Sequence, residues 1–376
     1  MKKLKRKSKI IIVTSTRAEY GLLSNLIDLF YKNKSINFEL IAIGQHLSTS
    51  YGKTLKQFKN KKVPTKKIKT LTSSSSTLSI INSFSNTING FSKYISKQNI
   101  KLIILLGDRY EIFACATAAF FNNIKIAHIQ GGEKTYGSMD DTFREIISKL
   151  SSIHFVSHKD YKKRLIGFGK NKKDIFNVGS LGAENTNYEK LKTKIEIEKK
   201  YSINFKNRVF LATFNSSIND KISITSALKN FISCLKKFND TSIIFTLPNS
   251  DINSDKIRDI ALNYSKKNKD FKVFKSLGSI DYLSIMKFAN LVIGNSSSGI
   301  FETPSFKVPT IDIGKRQLGR IKAKNIIPSN CDVKSIMYGI NKALSKKFLK
   351  KINNLKNPYY NGKTSVKIYK ILKNYR

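Results

Sequence analysis

Short apolar runs alternate along the chain with longer segments of helical length. The runs are rich in Ile, Val and Leu and are not interrupted by polar residues at every second position, which is typical of strands buried on both faces. These runs are Ile10–Val13, Phe38–Ile43, Leu102–Leu106, Ile124–Ile129, His154–Val156, Val209–Ala212, Ile243–Leu247, Leu291–Ile293 and Thr310–Ile313. The helical segments are Ala18–Tyr31, Leu78–Ser96, Tyr110–Asn122, Asp140–Ser151 and Ile222–Phe238. Repeated strand–helix units predict an α/β protein whose parallel sheets are covered by helices.

The length of 376 residues indicates two domains of roughly 150–200 residues each. The strand–helix alternation stops near Gly179–Gly182, a polar and Lys-rich stretch follows to about Asn207, and the alternation then restarts. We therefore predict domains at residues 1–180 and 181–376, and the last helix could pack back on the first domain. The serine run Ser73–Ser76 is predicted to be a loop within the first domain.

The formal net charge of +44 has two interpretations. One is a nucleic-acid or anionic-membrane partner, and the other is a compositional bias spread over the surface. The lysines are scattered through nearly every segment, and the one dense cluster, Lys2–Lys9, has no interleaved aromatic residues for base stacking. This favours the second interpretation, with neither nucleic acid nor membrane as a partner. Polyanion binding remains the alternative.

The three cysteines lie far apart and form no CxxC pair, so no zinc or redox motif is indicated. Such sparse use of cysteine fits a reducing compartment. The run Ile10–Val13 is far too short for a signal-peptide core or a membrane span. We expect a cytoplasmic protein without a metal site.

Ligands of open parallel sheets bind at the carboxyl ends of the strands, so the residues directly after each run carry the chemical information. In the first half these include Arg17, which could meet a phosphate, and Asp108, which could be only a helix cap. Gly131 and Gly132 would let the backbone approach a ligand closely. His128 lies inside a run and is expected to be a hydrogen-bonded core residue.

Acidic residues follow the same strands. Asp140 and Asp141 open a predicted helix, and Arg144 stands one turn further on. One interpretation is an ordinary helix start with an ion pair between Asp141 and Arg144. The other is that Asp108, Glu133 and Asp140 converge at one end of the sheet, as proton transfer at sugar carbons would require.

The strongest signal is in the second half, where a strand runs into Gly294-Asn295-Ser296-Ser297-Ser298-Gly299. Backbone N–H groups and three hydroxyls there would face an anion at a helix start. Glu302, one turn on, could accept hydrogen bonds from the two hydroxyls of a ribose. An ordinary serine cap is the alternative, but three serines and two glycines in six residues make a nucleotide diphosphate site the better interpretation.

Taken in order, these motifs resemble the hydrolysing UDP-N-acetylglucosamine 2-epimerases of bacterial sialic and legionaminic acid synthesis. The resemblance covers about residues 10 to 320. It is carried by Thr16–Leu23, Gly107-Asp108-Arg109, Gly131-Gly132-Glu133, Asp140 with Arg144, Gly294–Gly299 with Glu302, Pro304, Ser305 and Phe306, and Gly314–Arg320.

The resemblance implies a glycosyltransferase-B-like fold, with two Rossmann-like domains facing a cleft, no metal and no nicotinamide. It implies a homodimer and a UDP-sugar substrate. UDP is eliminated across C1–C2 to leave a 2-acetamidoglycal, and water then gives a free sugar inverted at C2. The implied nucleotide-binding residues are Arg17, Ser296, Ser297, Ser298, Gly299, Glu302 and Arg316. The implied acid–base groups are Asp108, Glu133 and Asp140, with Arg144 orienting the carboxylates at the helix start.

Two positions depart from the pattern of the resembled family. Gln130 stands where many members carry Glu or His, and Asn215 stands where they usually carry His. Neither amide can exchange a proton usefully. The departures leave three alternatives beside the hydrolysing enzyme, namely a non-hydrolysing 2-epimerase, a glycosyltransferase of the same fold, and a weakened enzyme that only binds nucleotide sugars.

Overall fold

The computed structural model describes residues 8–33, 36–49, 54–58, 62–72, 76–187, 191–217, 220, 222–249 and 251–374. Residues 2–7 of the basic cluster and residues 73–75 of the serine run lie outside these ranges. The chain divides into two compact units. Unit 1 contains residues 1–133, 140–181 and 361–376, and unit 2 contains residues 134–139 and 182–360.

Unit 1 is built on a parallel sheet of seven strands in the order β3-β2-β1-β4-β5-β6-β7. The strands are β1 (Lys9–Thr14), β2 (Phe38–Ala42), β3 (Thr65–Lys67), β4 (Ile100–Leu106), β5 (Ile126–Ile129), β6 (Ile153–Val156) and β7 (Ile175–Asn177). Its helices are α1 (Arg17–Lys32), α2 (Thr77–Ile95), α3 (Tyr110–Phe121), α4 (Asp140–Leu150), α5 (Lys159–Gly167) and α15 (Thr364–Asn374). The short helix α6 (Leu181–Asn185) spans the division between the units.

Unit 2 has a parallel sheet of six strands in the order β10-β9-β8-β11-β12-β13. The strands are β8 (Arg208–Thr213), β9 (Thr241–Thr246), β10 (Phe271–Phe274), β11 (Leu291–Gly294), β12 (Thr310–Ile313) and β13 (Ile326–Ser329). The helices are α7 (Lys194–Tyr201), α8 (Ile224–Leu235), α9 (Ser254–Lys267), α10 (Gly278–Phe288), α11 (Ser298–Phe301), α12 (Thr303–Phe306), α13 (Val333–Leu344) and α14 (Lys346–Ile352). The predicted class, parallel α/β in two parts, is confirmed.

Continuous apolar runs form these strands because each sheet is covered on both faces. In β1, Ile10 and Ile12 belong to one apolar cluster, while Ile11 and Val13 belong to a second cluster. Side chains of a strand alternate between faces, so the two clusters lie on opposite sides of the sheet. All nine predicted runs overlap strands of the structure. The strands that the pattern missed, β3, β7, β10 and β13, are three or four residues long.

The last helix belongs to unit 1. Ile368 and Leu372 of α15 are buried in the same apolar cluster as Ile10, and α15 packs against α1. The hydroxyl of Thr364 donates a hydrogen bond to the carbonyl of Val178, 2.9 Å away. A second departure from contiguous domains is the segment 134–139 between β5 and α4, which belongs to unit 2.

Candidate functional site

In unit 1, a buried arginine lies among the acidic residues that follow the strands. The Arg144 side chain on α4 is 2% exposed. Its guanidinium forms ion pairs with the carboxylates of Asp108, after β4, and Asp141, at 2.8 Å. It also donates a hydrogen bond to the carbonyl oxygen of Glu133 at 3.1 Å. Burial alone would lower the pKa of Arg144, but the surrounding carboxylates of Asp108, Glu133 and Asp141 outweigh it and raise the pKa, so the cation is permanent.

The ion pair with Arg144 decides between two interpretations of Asp108. The N-cap of α3 is Arg109, which makes no side-chain cap bond, so Asp108 is not the helix cap. At the start of α4 the ion-pair partner of Arg144 is Asp141, as the i,i+3 spacing predicts. The contact with Asp141 is to one of the two helix-start carboxylates that Arg144 is predicted to orient, and its orientation of Asp140 stays a prediction. The side chain of Asp140 is half-buried at the first position of the helix.

Glu133 is held from several directions. Its carboxylate oxygen Oε1 accepts a 2.8 Å hydrogen bond from the hydroxyl of Ser157, which follows β6. Its carbonyl oxygen accepts bonds from Arg144 and Arg164. Glu133 is 1% exposed and Ser157 is 2% exposed. The carboxylate is therefore fixed in place and shielded from water, a setting in which proton transfer is strongly affected by neighbouring charge.

The glycines before Glu133 are needed for packing within the protein. A Cβ at Gly131 would lie 2.8 Å from His128 Nδ1, and one at Gly132 would lie 2.7 Å from the carbonyl oxygen of Tyr161. Packing alone therefore requires glycine at both positions, and a close approach of their backbone to a ligand stays a prediction. Gln130 has a φ of +65°, a left-handed conformation that is strained for a residue with a side chain.

His128 is a core residue, as expected. It is fully buried, and its ring nitrogens lie 3.0 Å from the hydroxyl of Ser148 and 2.7 Å from the carbonyl oxygen of Gly107. Burial lowers its pKa to about 4, so the ring is neutral at physiological pH.

Arg17 is the first residue of α1 and is half-buried. The helix start is fixed by Glu19, whose carboxylate accepts bonds from the Ser15 N–H at 2.6 Å and from the Ser15 hydroxyl at 2.9 Å. Burial raises the pKa of Glu19 to about 7, although the positive charge of Arg109 opposes this. Arg109 in turn forms an ion pair with Glu111. The Arg17 helix start thus lies beside a charged cluster that the strand-end rule did not identify.

In unit 2, the serine loop connects β11 to two short helices. The hydroxyls of Ser296 and Ser298 lie 3.0 Å apart, and the Tyr282 hydroxyl lies 2.6 Å from Ser298 Oγ. A small cavity beside the loop is lined by Thr213, Tyr282, Ser296, Gly299 and Asp312, among others. The single predicted helix is broken into α11 and α12 at Glu302, because Pro304 lacks an N–H and its ring crowds the preceding turn.

Glu302 is a buried acid beside this loop. It is 8% exposed, and in the described part of the chain its Oε2 atom has no hydrogen-bond partner. Burial raises its pKa to about 8, although Arg320 lowers it in part. A buried carboxylate oxygen without a donor is costly and fits a place where a ligand hydroxyl would bind.

Asn215 lies after β8 and forms hydrogen bonds with Asn295 at the end of β11. The Asn215 N–H donates to Asn295 Oδ1 at 2.7 Å, and Asn295 Nδ2 donates to the Asn215 carbonyl at 2.8 Å. Arg316, on the loop after β12, donates to the Asn295 carbonyl at 3.2 Å. Unit 2 thus brings Asn215 and Arg316 to the start of the serine loop.

Sequence reasoning missed Ser157, Asn295 and the acidic cluster around Arg109. Ser157 directly follows a predicted strand, so the strand-end rule applied to every run would have found it. Asn295 lies within the serine motif, but the sequence does not indicate that its side chain bonds to the loop after β8.

The comparison with known protein families shows the family to which the chain belongs. Residues 30–373 match the family model described as UDP-N-acetylglucosamine 2-epimerase. The chain belongs to this family. The resemblance found from the ordered motifs is thereby confirmed, and the chain is a member of an enzyme family.

Curated relatives cover almost the whole chain. A Campylobacter jejuni GDP/UDP-N,N'-diacetylbacillosamine 2-epimerase (hydrolyzing) is 39% identical over 91% of this chain and 89% of its own length. The Escherichia coli polysialic acid biosynthesis protein P7 is 35% identical over 98% and 94%. A Legionella pneumophila UDP-N,N'-diacetylbacillosamine 2-epimerase (hydrolyzing) is 30% identical over 97% and 95%.

Solved structures share the fold at low sequence identity. The complex of S. aureus MnaA with UDP has a TM-score of 0.80 at 18% identity, covering 97% of this chain and 96% of that chain. The Neisseria meningitidis UDP-GlcNAc 2-epimerase bound to UDP-GlcNAc has a TM-score of 0.78 at 18% identity, covering 97% and 100%. The predicted glycosyltransferase-B-like class is confirmed by these neighbours.

Within the described ranges, no group of three or more His, Cys, Asp or Glu residues is placed to hold a metal ion. Over the same ranges, every helix is too short or too polar to cross a membrane.

The burial of Arg144 leads to a stability prediction. Replacing Arg144 with Met should lower the free energy of unfolding of unit 1 by about 3–5 kcal/mol, because the carboxylates of Asp108 and Asp141 lose their cation in a buried setting. The matched control is Arg258→Met, which removes a partly exposed i,i+3 pair with Asp255 and should cost less than about 1 kcal/mol. Urea unfolding measures both. Equal losses for the two variants would show that the Arg144 cluster is not the stronger interaction.

Proposed function

We propose that the chain is a hydrolysing UDP-sugar 2-epimerase. The observation that carries the proposal is the 39% identity to a hydrolysing 2-epimerase over 91% of the chain, together with the buried carboxylates around Arg144. The first step breaks the C2–H bond and the C1–O bond to UDP, so that UDP and a 2-acetamidoglycal form. In the second step the oxygen of water bonds to C1 and a proton returns to the opposite face of C2. The products are UDP and the free C2-inverted sugar.

Unit 2 would bind the nucleotide. The hydroxyls of Ser296, Ser297 and Ser298 and the backbone at Gly299 supply donors to the diphosphate, and the guanidinium of Arg316 supplies positive charge. In unit 1, Arg17 is a further diphosphate ligand in this proposal. The Glu302 carboxylate would accept hydrogen bonds from the ribose hydroxyls, which agrees with its buried oxygen that has no donor among the described residues.

Asp108, Glu133 and Asp140 would exchange the protons. Glu133 is the best supported of the three, because Ser157 and two arginine contacts hold it in one place. Gln130 and Asn215 cannot take or give a proton at neutral pH, so in this chain neither would serve as an acid or a base. The carboxylates then carry all of the acid–base work.

The proposed substrate is a UDP-2,4-diacetamido-trideoxyhexose. Two of the relatives with at least 30% identity are named for UDP-N,N'-diacetylbacillosamine, whereas the Neisseria meningitidis UDP-N-acetylglucosamine 2-epimerase is 28% identical over 90% of the chain. The N-acetylmannosamine-type product would feed the synthesis of a legionaminic or sialic acid. The name of the Escherichia coli relative supports a pathway of this kind.

Isotope labelling tests the reaction. Incubation with the diacetamido substrate in heavy water should release UDP and a free sugar with deuterium at C2, because the proton added in the second step comes from solvent. Glu133→Gln, Asp108→Asn and Asp140→Asn should each lower kcat by about 10²- to 10⁴-fold. Asp160→Asn, at a side chain that is 53% exposed on α5, is the matched control and should turn over normally.

The other outcomes separate the alternatives. A UDP-sugar inverted at C2 that keeps its UDP would indicate a non-hydrolysing epimerase. UDP release that begins only when an acceptor is added would indicate a glycosyltransferase. Tight UDP binding without turnover of either UDP-sugar would indicate a weakened enzyme, and salt-resistant binding of nucleic acid would support a polyanion-binding protein.

The raised pKa of Glu302 predicts how UDP affinity depends on pH. Only the carboxylate accepts two ribose hydroxyls, and the free site holds a proton below a pH of about 8. Affinity should therefore rise with pH, by about tenfold per unit while the carboxyl is mostly protonated, and level off above the pKa. The stability of the free protein depends on pH in the opposite direction. Folded Glu302 keeps a proton that the unfolded chain loses above a pH of about 4.5. The contribution of this group to the free energy of unfolding therefore falls as the pH rises toward 8.

Calorimetry at several pH values measures this dependence. Glu302→Gln should bind UDP weakly and lack the rise in affinity between pH 7 and 8, a range above the titration of the UDP phosphate and below that of the uracil N–H. A wild-type affinity that stays constant between pH 7 and 9 would contradict the assignment of Glu302 to the ribose.

A cytoplasmic homodimer is the proposed state of the protein. The three cysteines are free and buried, which fits a reducing compartment. Along α2 and α3 the large apolar side chains of Leu78, Ile81 and Phe121 are exposed, and such surfaces are often covered by a second subunit. Light scattering should give twice the mass of 42.7 kDa, and a monomeric mass at micromolar concentration would contradict the proposal.

A further inference from the structure

We propose that Asn295 is a positioning residue that holds the diphosphate-binding groups of unit 2 in register, by joining the loops after β8, β11 and β12. This inference rests on the proposed nucleotide site at the serine loop. It assigns to the Asn215–Asn295 pair a task that needs no proton exchange.

The side chain of Asn295 is committed to one neighbour. It is 1% exposed, and its Oδ1 accepts from the Asn215 N–H at 2.7 Å and from Asn215 Nδ2 at 3.2 Å. Its Nδ2 donates to the Asn215 carbonyl at 2.8 Å. These partners fix which end of the amide is oxygen, because a backbone N–H needs an acceptor and a carbonyl needs a donor. The β8 loop is thus bound through both backbone groups of one residue.

The backbone of Asn295 binds the other two loops. Its N–H donates to the Thr213 carbonyl at 3.2 Å, again on the β8 side. Its carbonyl accepts from the Arg316 guanidinium at 3.2 Å and from Gln317 Nε2 at 2.9 Å. Gln317 is 1% exposed, so this contact is shielded from water. Arg316, the proposed diphosphate ligand, is therefore anchored on the residue that immediately precedes Ser296.

The preceding residue leaves Asn295 little freedom. Gly294 has a φ of +139°, and a Cβ there would lie 1.7 Å from the Thr213 carbonyl oxygen. Strands β8 and β11 therefore approach at a point where only glycine fits. The Gly294 contact fixes the end of β11, and the position of the Asn295 carbonyl, which anchors Arg316, also depends on the side-chain bonds of Asn295 to the β8 loop.

Loss of the Asn295 side chain would release the loop after β11 from the loop after β8. The N–H and carbonyl of Asn215, which is 6% exposed, would be left buried without partners, and such groups are expensive to leave unsatisfied. They would reach water or other donors by moving the loop, and Arg316 would move with its anchor. The Asn215 side chain contributes only the longer 3.2 Å bond, so its truncation should matter less.

A double-mutant cycle tests the inference. UDP affinity is measured by calorimetry for the wild type, Asn295→Ala, Arg316→Ala and the double variant. Each single change should weaken UDP binding by about 10- to 100-fold, and the double variant should be no weaker than the worse single variant, because Asn295 acts through Arg316. Asn215→Ala should weaken binding by less than about fivefold. Additive losses in the double variant would overturn the inference.

The matched control is Asn290→Ala at the other end of β11. The Asn290 side chain also accepts a hydrogen bond from β8, from the Val209 N–H at 2.8 Å. Asn290 immediately precedes β11, whereas the serine loop follows it. The Asn290→Ala variant should be less stable than the wild type and should bind UDP with unchanged affinity. Equal losses of affinity in Asn290→Ala and Asn295→Ala would mean that any weakening of the β8–β11 contact has this effect, which also overturns the inference.

Two further variants keep the test decisive. If Asn295→Ala does not fold, Asn295→Ser retains a small donor and acceptor, and its loss of affinity should again vanish in the Arg316→Ala background. Ser296→Ala and Arg316→Ala distinguish a failure of the proposed nucleotide site from a failure of the positioning role. If neither alters UDP binding, the proposed nucleotide site is wrong, whereas a loss in both with additive Asn295 effects refutes only the positioning role.

Discussion

A single buried cation organises the acidic side of this molecule. The Arg144 guanidinium lies where the ends of β4 and β5 meet the start of α4, and it contacts one group from each. Carboxylates gathered in a shielded place repel one another and would take up protons. The arginine forms ion pairs with Asp108 and Asp141 and holds the backbone of Glu133. The arrangement of the unit 1 site therefore depends on one residue that cannot lose its charge.

The unit 2 site is organised by different means. The loops after its strands are joined through Asn295, whose side chain is bonded to the neutral residue Asn215 and whose carbonyl accepts a hydrogen bond from the cationic Arg316. The bonds between Asn215 and Asn295 involve no charged group. Neutral donors and acceptors fix the geometry without changing the charge that the ligand meets. Ion pairs thus hold the proposed acid–base groups of unit 1, and amide hydrogen bonds hold the proposed diphosphate site of unit 2.

The extent of sequence-based prediction follows the physics of each feature. Strands covered on both faces must be apolar throughout, so all nine runs were visible, whereas short edge strands such as β3 carry too little apolar sequence. Strand ends located Asp108 and Glu133 in unit 1 and the serine loop in unit 2, because ligands of a parallel sheet bind at the carboxyl ends of its strands. The direction of a side chain is not encoded in this way. The ion pair of Asp108 with Arg144, the bond from Ser157 and the packing role of Gly131 depend on neighbours distant in sequence.

The discontinuous chain path of unit 1 limits how the molecule can be divided. Its apolar cluster takes Ile368 and Leu372 from the last helix, and residues 134–139 leave it between Glu133 and Asp140. A fragment that stops after α6 would expose the surface of α1 that α15 normally covers. A cut at any single point in the chain therefore does not separate the two units. A single recombination event between relatives that exchanges the nucleotide-binding half would also exchange the final helix, so unit 1 of each product would pack against a helix from the other parent.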